Sequence, residues 1–260
     1  MSTRFQYNSG PLSDGGSPRD FALSTHEFGP YQSEAIQRYI YGTRFLMWDG
    51  RVFKYALSHG ELESYHGCRD NNDAALGYTA APTAAAIGDR MVQVTLGSRA
   101  EDDLVGGYIQ LYDGGDIDTT CQRGIIGNTK SDTTVDVYLD YPLHQPIVAS
   151  TDAMEVYENP YRAITEVSGS TSAWVGVPCV SCAAALKTWI QTWGPCAISP
   201  GNTTLDDPAA DERTVYWGTN AVLFEAAVTG ATSESQHAGY ILNSGGSGIA
   251  GPIIMLMCST

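Results

Sequence analysis

Basic side chains are scarce in this sequence. Lys and Arg number 14 against 29 Asp and Glu, a formal charge of −15. Such a surface repels phosphate backbones and anionic headgroups, so nucleic acid and membrane are poor partners for the body of the protein. Charge of either sign is sparse too, at 17% of residues. No apolar run approaches the roughly 20 residues that span a bilayer as a helix; the longest notable one is Ile253-Ile254-Met255-Leu256-Met257. Met1-Ser2-Thr3-Arg4-Phe5-Gln6 has no apolar core behind it, so no signal peptide is expected and synthesis in the host cytoplasm follows. Six cysteines scattered over 260 residues are too few for a disulfide scaffold, and reduced, buried thiols are expected.

What is abundant points to β structure. Gly 28, Tyr 15 and many threonines suit short strands separated by turns. The stretch from Trp174 to Ile198, WVGVPCVSCAAALKTWIQTWGPCAI, holds three of the five tryptophans and three of the six cysteines. From Lys187 to Trp193 it alternates Lys/Trp/Gln/Trp with Thr/Ile/Thr, the pattern of a strand buried on both faces. Trp189, Trp193 and Ile190 are therefore assigned to the main core. A second buried set is Val135, Val137 and Leu139, which alternate with Thr134, Asp136, Tyr138 and Asp140 as one wet and one dry face of antiparallel sheet.

Along the chain, three parts are expected. Residues 1–60 read as an extended N-terminal arm, broken by Gly10-Pro11, Gly15-Gly16-Ser17-Pro18 and Gly29-Pro30. It contains a short helix or strand over 33–41 and a hairpin over 43–57. The Asp49-Gly50 pair between apolar-alternating arms predicts a two-residue type I′ turn. Six of the 14 basic residues fall in this part, leaving eight bases against 24 acids in the remaining 200 residues. A β module is expected over 61–157 and a barrel-like module over 158–260. The fold class is all-β, an antiparallel barrel or sandwich body behind an arm and hairpin.

No catalytic, cofactor or metal site is expected. Cys179-Val180-Ser181-Cys182 has redox or zinc spacing, but Cys196 alone supplies no second pair and the surroundings are β rather than βαβ. His59, His66 and Cys68 match no ligand pattern. Asp113-Gly114-Gly115-Asp116-Ile117-Asp118 lacks the acid spacing and distal Glu of an EF-hand and reads as a turn. Gly245-Gly246-Ser247-Gly248 lacks the Lys of a P-loop. Asp102-Asp103 and Asp206-Asp207 sit in polar loops, and Asn202-Thr203-Thr204 is a sequon that matters only on secretion.

The order GTRFLMWDGRVFKYAL, VQVTLG, GGYIQLYDGG, VYLDYPL, ENPYRAI and VGVPCVSCAAALKTWIQTWGPCAI, with an apolar last strand, resembles tailed-bacteriophage capsid decoration, or auxiliary head, proteins. The resemblance spans residues 42–200 and the final strand. It implies a non-enzymatic protein on the outside of the virion shell that binds the major capsid protein and copies of itself, often as a trimer. The arm and hairpin then supply the contact residues Arg4, Phe5, Tyr7, Arg19, Phe21, Phe28, Tyr31, Arg38, Arg44, Phe45 and Arg51, arginines and single aromatic anchors that order on binding. Two other readings remain open. One is a tail, baseplate or adhesin-like β protein. The other is a carbohydrate-binding or carbohydrate-cleaving protein with Trp189, Trp193 or Trp217 as a sugar platform.

Overall fold

In a computed structural model of the chain, residues 12–13, 29–71, 78–80, 83–114, 116–149, 151–166, 172–199, 213–218, 221–225, 236–243 and 251–259 are described. Among them there is no α-helix, and the fold is all-β, with curled antiparallel sheets. The chain divides into two compact units. One combines residues 1–71 with 160–260, and the other is the intervening 72–159. The division expected at residue 60 gives way for a physical reason: the hairpin is no appendage but pairs with the C-terminal half of the chain.

With strands numbered along the whole chain, the discontinuous unit contains β1 (Leu12–Ser13), β2 (Ser33–Glu34), β3 (Arg44–Leu46), β4 (Val52–Leu57) and β5 (Cys68–Asp70). Its later strands are β12 (Ile164–Thr165), β13 (Trp174–Pro178), β14 (Lys187–Ala197), β15 (Thr214–Trp217), β16 (Leu223–Glu225), β17 (His237–Asn243) and β18 (Ile253–Met257). The main path runs β1-β3-β4-β14-β18-β17-β15-β16. The long β14 is its spine, pairing with β4 over Lys187–Trp193, with β18 over Trp193–Ala197, and with β2 and β13 on the way. β5 ties β12 to β13.

Over Thr188–Thr192 both faces of β14 are covered, as the alternation predicts. Trp189 packs with Met47, Phe53, Tyr55 and Cys179, ringed by Tyr39, Tyr41 and Phe45. Ile190, on the other face, packs with Ala56, Leu62, Cys68, Ile164, Val175 and Cys182. The expected pairing of Trp189 with Trp193 on one face does not occur. Thr192 is an extra residue against β4, since Gln191 pairs with Phe53 and Trp193 with Val52. A bulge breaks the two-residue period, and Trp193 is half-buried, outside the core. Buried Gln191 spans this irregularity, its Nε2 donating to the carbonyls of Trp193, Gly194 and Pro195 at 3.2, 3.2 and 2.9 Å.

Residues 33–41 form a short strand and turns, not a helix. Tyr39 stacks edge-on against Tyr55, the Arg38 amide donates to the Tyr55 hydroxyl, and the Ala35 carbonyl accepts from Lys187 Nζ. Tertiary pairing with β14 overrides the local pattern. The hairpin is present, but its loop is three residues long. Leu46 pairs with Val52, the Met47 amide donates to the Arg51 carbonyl, and the Gly50 amide donates to the Met47 carbonyl with Gly50 at φ +86°. This is a type I turn closed by a left-handed glycine, the three-residue alternative to the I′ turn.

The intervening unit holds β6 (Tyr78–Ala80), β7 (Met91–Thr95), β8 (Tyr108–Asp113), β9 (Asp116–Asn128), β10 (Thr134–Leu139) and β11 (Ala153–Tyr157), in the order β6-β11-β8-β9-β10-β7. Val135, Val137 and Leu139 are fully buried in its core with Val92, Val94, Ile109, Leu111, Met154 and Val156. Tyr138 and Asp140 are exposed, so β10 has the dry and wet faces read from its sequence. Asp113-Gly114 turns into β9, with the Gly114 amide donating to Asp152 Oδ1 at 3.0 Å.

Candidate interaction surface

The last strand of the chain explains itself only from the outside. An antiparallel strand with one wet face alternates apolar and polar residues, yet β18 is apolar at all five positions. Ile254 and Leu256 point inward with Val177, Cys196, Ile198, Val215, Ala238 and Ile241. The opposite side chains, Ile253, Met255 and Met257, face out. Register places Trp193, Pro195 and Ala197 of β14 beside Met257, Met255 and Ile253, and Tyr240 of β17 beside Met255 on the other side. Leu242 lies at the β17 bulge next to Ile253. Tyr240, Leu242, Ile253 and Met257 are 36–45% exposed.

These eight side chains lie across three neighbouring strands and none is charged. Single exposed apolar residues are ordinary on protein surfaces, whereas a contiguous set marks a contact surface. Two of the eight are methionines, whose unbranched thioethers adapt to an opposing surface. On a chain of net charge −15, what such a face can do chemically is bury apolar area against another surface, with no ion pairs to set the contact.

The contact residues expected from the sequence fall in two groups. Arg4, Phe5, Tyr7, Arg19, Phe21 and Phe28 lie outside the described residues. The other five are placed, and each except Arg44 shows a partner within its own chain. Arg38 pairs with Glu34 at 2.6 Å. Arg51 pairs with Asp49 at 2.7 Å, donates to the Tyr31 hydroxyl at 2.9 Å and lies over the Phe53 ring. Phe45 packs on Trp189 at a centroid distance of 5.5 Å. Arg44 is half-buried across from Lys54, and its proximity together with burial depresses the Lys54 pKa, burial being the larger cause. The sequence reading missed the outer face of β14–β18–β17. Its signal was visible in the missing polar alternation of Ile253–Met257.

The tryptophans proposed as a sugar platform are differently placed. Trp189 and Trp217 are buried, the latter stacked on Trp174 at 5.2 Å while the Arg69 guanidinium covers the Trp174 ring at 4.7 Å. Trp217 also closes over Gly67, where an added Cβ would overlap its ring. Trp189 and Trp217 are therefore withdrawn from that platform, whereas Trp193 is half-buried beside Met257 on the outer face of β14.

The Cys179 and Cys182 thiols are free and belong to separate core clusters. Burial pushes Cys179 up to about 11 and raises Cys182, the reverse of an activated thiolate. His59, His66 and Cys68 are not brought together: His59 is exposed and Cys68 is buried with its Sγ on the Gly176 carbonyl. His66 Nδ1 instead lies 3.5 Å from Glu166 and 3.6 Å from Glu63. Burial raises the Glu166 carboxyl to about 7, partly offset by the Glu63 amide that donates to it. Among the described residues, no group of three His, Cys, Asp or Glu side chains forms a metal cluster, and no helix is long and apolar enough to cross a membrane. Asp102 is exposed and Asp103 half-buried; Asp206-Asp207, Asn202-Thr203-Thr204 and Gly245–Gly248 lie outside the described residues.

No family model, no curated protein and no solved structure matches this chain.

Proposed function

We propose that this chain is a non-enzymatic structural subunit that associates with copies of itself through the outer face of β14–β18–β17 and adds to the exterior of a tailed-phage capsid. The observation that carries the assembly role is the charge-free apolar face on an otherwise acidic protein. Two copies of one acidic chain repel each other wherever their carboxylates meet. A self-contact therefore has to form where charge is absent, and this face meets that requirement. A trimer built this way needs heterologous contacts, so the face meets a different part of its neighbour.

The capsid setting rests on the sequence resemblance alone, as does the role of the N-terminal segment in cementing capsomers through the major capsid protein. Leu12–Ser13 pair with β3, and residues from Pro30 onward make contacts within their own chain. The capsid-binding role is therefore assigned to the positions on either side of β1, Arg4, Phe5 and Tyr7 before it and Arg19, Phe21 and Phe28 after it. The test is the copy number of this protein in purified virions, measured by quantitative mass spectrometry against the major capsid protein. A simple fraction of the capsid copy number supports a shell-decorating role. A handful of copies moves the protein to the tail or baseplate, and absence overturns the virion reading.

A further inference from the structure

The intervening unit carries a second exposed face, of different chemistry. On β8, Tyr108, Gln110 and Tyr112 alternate with the buried Ile109 and Leu111. Register sets Tyr157 of β11 beside Tyr108 and Glu155 beside Gln110, and sets Gln122 of β9 on the other side of Gln110. The result is a polar row, Glu155–Gln110–Gln122, with the Tyr157–Tyr108 pair at one end and Tyr112 at the other. Tyr108 and Tyr157 are 46% and 36% exposed. The hydroxyls of Tyr112 and Tyr157 both donate to Glu155 Oε2, at 2.6 and 2.7 Å. Two rings are thus tied to one carboxylate before any ligand arrives, which lowers the ordering cost of binding.

We propose that this tyrosine–glutamine face is a binding site for a neutral oligosaccharide. Four rises of about 3.4 Å separate Tyr108 from Tyr112, a span of about 14 Å that matches two to three pyranose rings laid along the strand. Aromatic rings at the ends offer flat apolar surfaces to the C–H faces of sugars. The carboxamides between them both donate and accept, as sugar hydroxyls require. Charge selects the ligand class. The six named side chains include no base, and the one carboxylate oxygen shared by two phenols is already satisfied. Anionic glycans and nucleic acid find no counter-charge here and are repelled by the net charge of −15. This site is independent of the capsid setting, and it differs in residues and in unit from the tryptophan platform of the sequence reading.

The full chain is tested on an array of neutral, sialylated and sulfated oligosaccharides, followed by calorimetry with the strongest neutral hexasaccharide. The expected result is signal confined to neutral pyranose oligomers, with affinity reduced at least about tenfold by Tyr108→Ala, an aromatic contact removed from the site. Gln122→Ala, at an exposed position, reduces affinity as well and keeps the test decisive if Tyr108→Ala unfolds. Absence of signal on every neutral glycan, a preference for sulfated or sialylated ones, or unchanged affinity in both variants overturns the proposal.

Discussion

Trp217 is held between Trp174 and Gly67, and the arrangement leaves no room for a methyl group at residue 67. Gly67→Ala forces the indole off its stack, an overpacking change that costs about 1–3 kcal/mol. A lowered thermal midpoint with near-ultraviolet circular dichroism altered at the tryptophan bands is the expected outcome; an unchanged midpoint contradicts this packing. Glu166 gives a second residue-level test. Its carboxyl ionises near pH 7 in the fold against 4.5 ordinarily. Between those values the folded chain keeps a proton that the unfolded chain has released, so this group lowers stability as pH rises from 4.5 to 7 and leaves it lowered above. Glu166→Gln stays neutral and its carbonyl still accepts from the Glu63 amide. The variant is expected to melt higher than the wild type at pH 8 and close to it at pH 4. A constant difference across pH contradicts burial as the cause.

At the scale of the element, β14 organises everything else in its unit, and much of that was legible. The alternation from Lys187 onward showed a strand covered on both sides, and the alternation of β10 showed its dry face, because each side chain there obeys the two-residue period. The bulge at Thr192 was not legible. Its cause is a long-range register with β4 and the hydrogen bonds of Gln191, neither of which leaves a local pattern. The choice between helix and strand left open over 33–41 was not legible for the same reason: backbone pairing of Ser33 and Glu34 with Thr188 and Lys187 decides it for a short strand. Gln191→Leu tests the bulge directly. It removes the two Nε2–H donors that three main-chain carbonyls share, each hydrogen bond worth about 1 kcal/mol net and more if a carbonyl is left buried and unpaired. A loss of roughly 2–4 kcal/mol in denaturant unfolding is expected, and a loss below about 1 kcal/mol contradicts the bracing role.

For the whole molecule, the organisation read from sequence as arm, module and module is instead one β unit interrupted by another. The hairpin's contribution to the main sheet became visible only when β4 was seen against β14, residues 130 to 141 positions apart in the chain. The candidate surface was half legible. An all-apolar β18 was plain in the sequence, but assigning its outward half needed the register that sets Met257, Met255 and Ile253 beside Trp193, Pro195 and Ala197. Truncating residues 1–28 removes the positions assigned to the capsid together with the two-residue edge strand β1, while leaving Tyr39 on Trp189. The expected outcome is a folded, oligomeric protein, its melt lowered only by the loss of that edge pairing, that no longer cosediments with capsids. Retained cosedimentation contradicts that assignment.

The measurement that bears most directly on the central claim is sedimentation equilibrium of the full chain and of the Ile253→Glu/Met257→Glu variant across the micromolar range. Both substitutions place carboxylates on exposed positions of the apolar face, so the variant is expected to fold and melt like the wild type. The account predicts a wild-type oligomer that falls to the 27.9 kDa monomer in the variant. A monomeric wild type at every concentration, or an oligomer indifferent to both carboxylates, would contradict it.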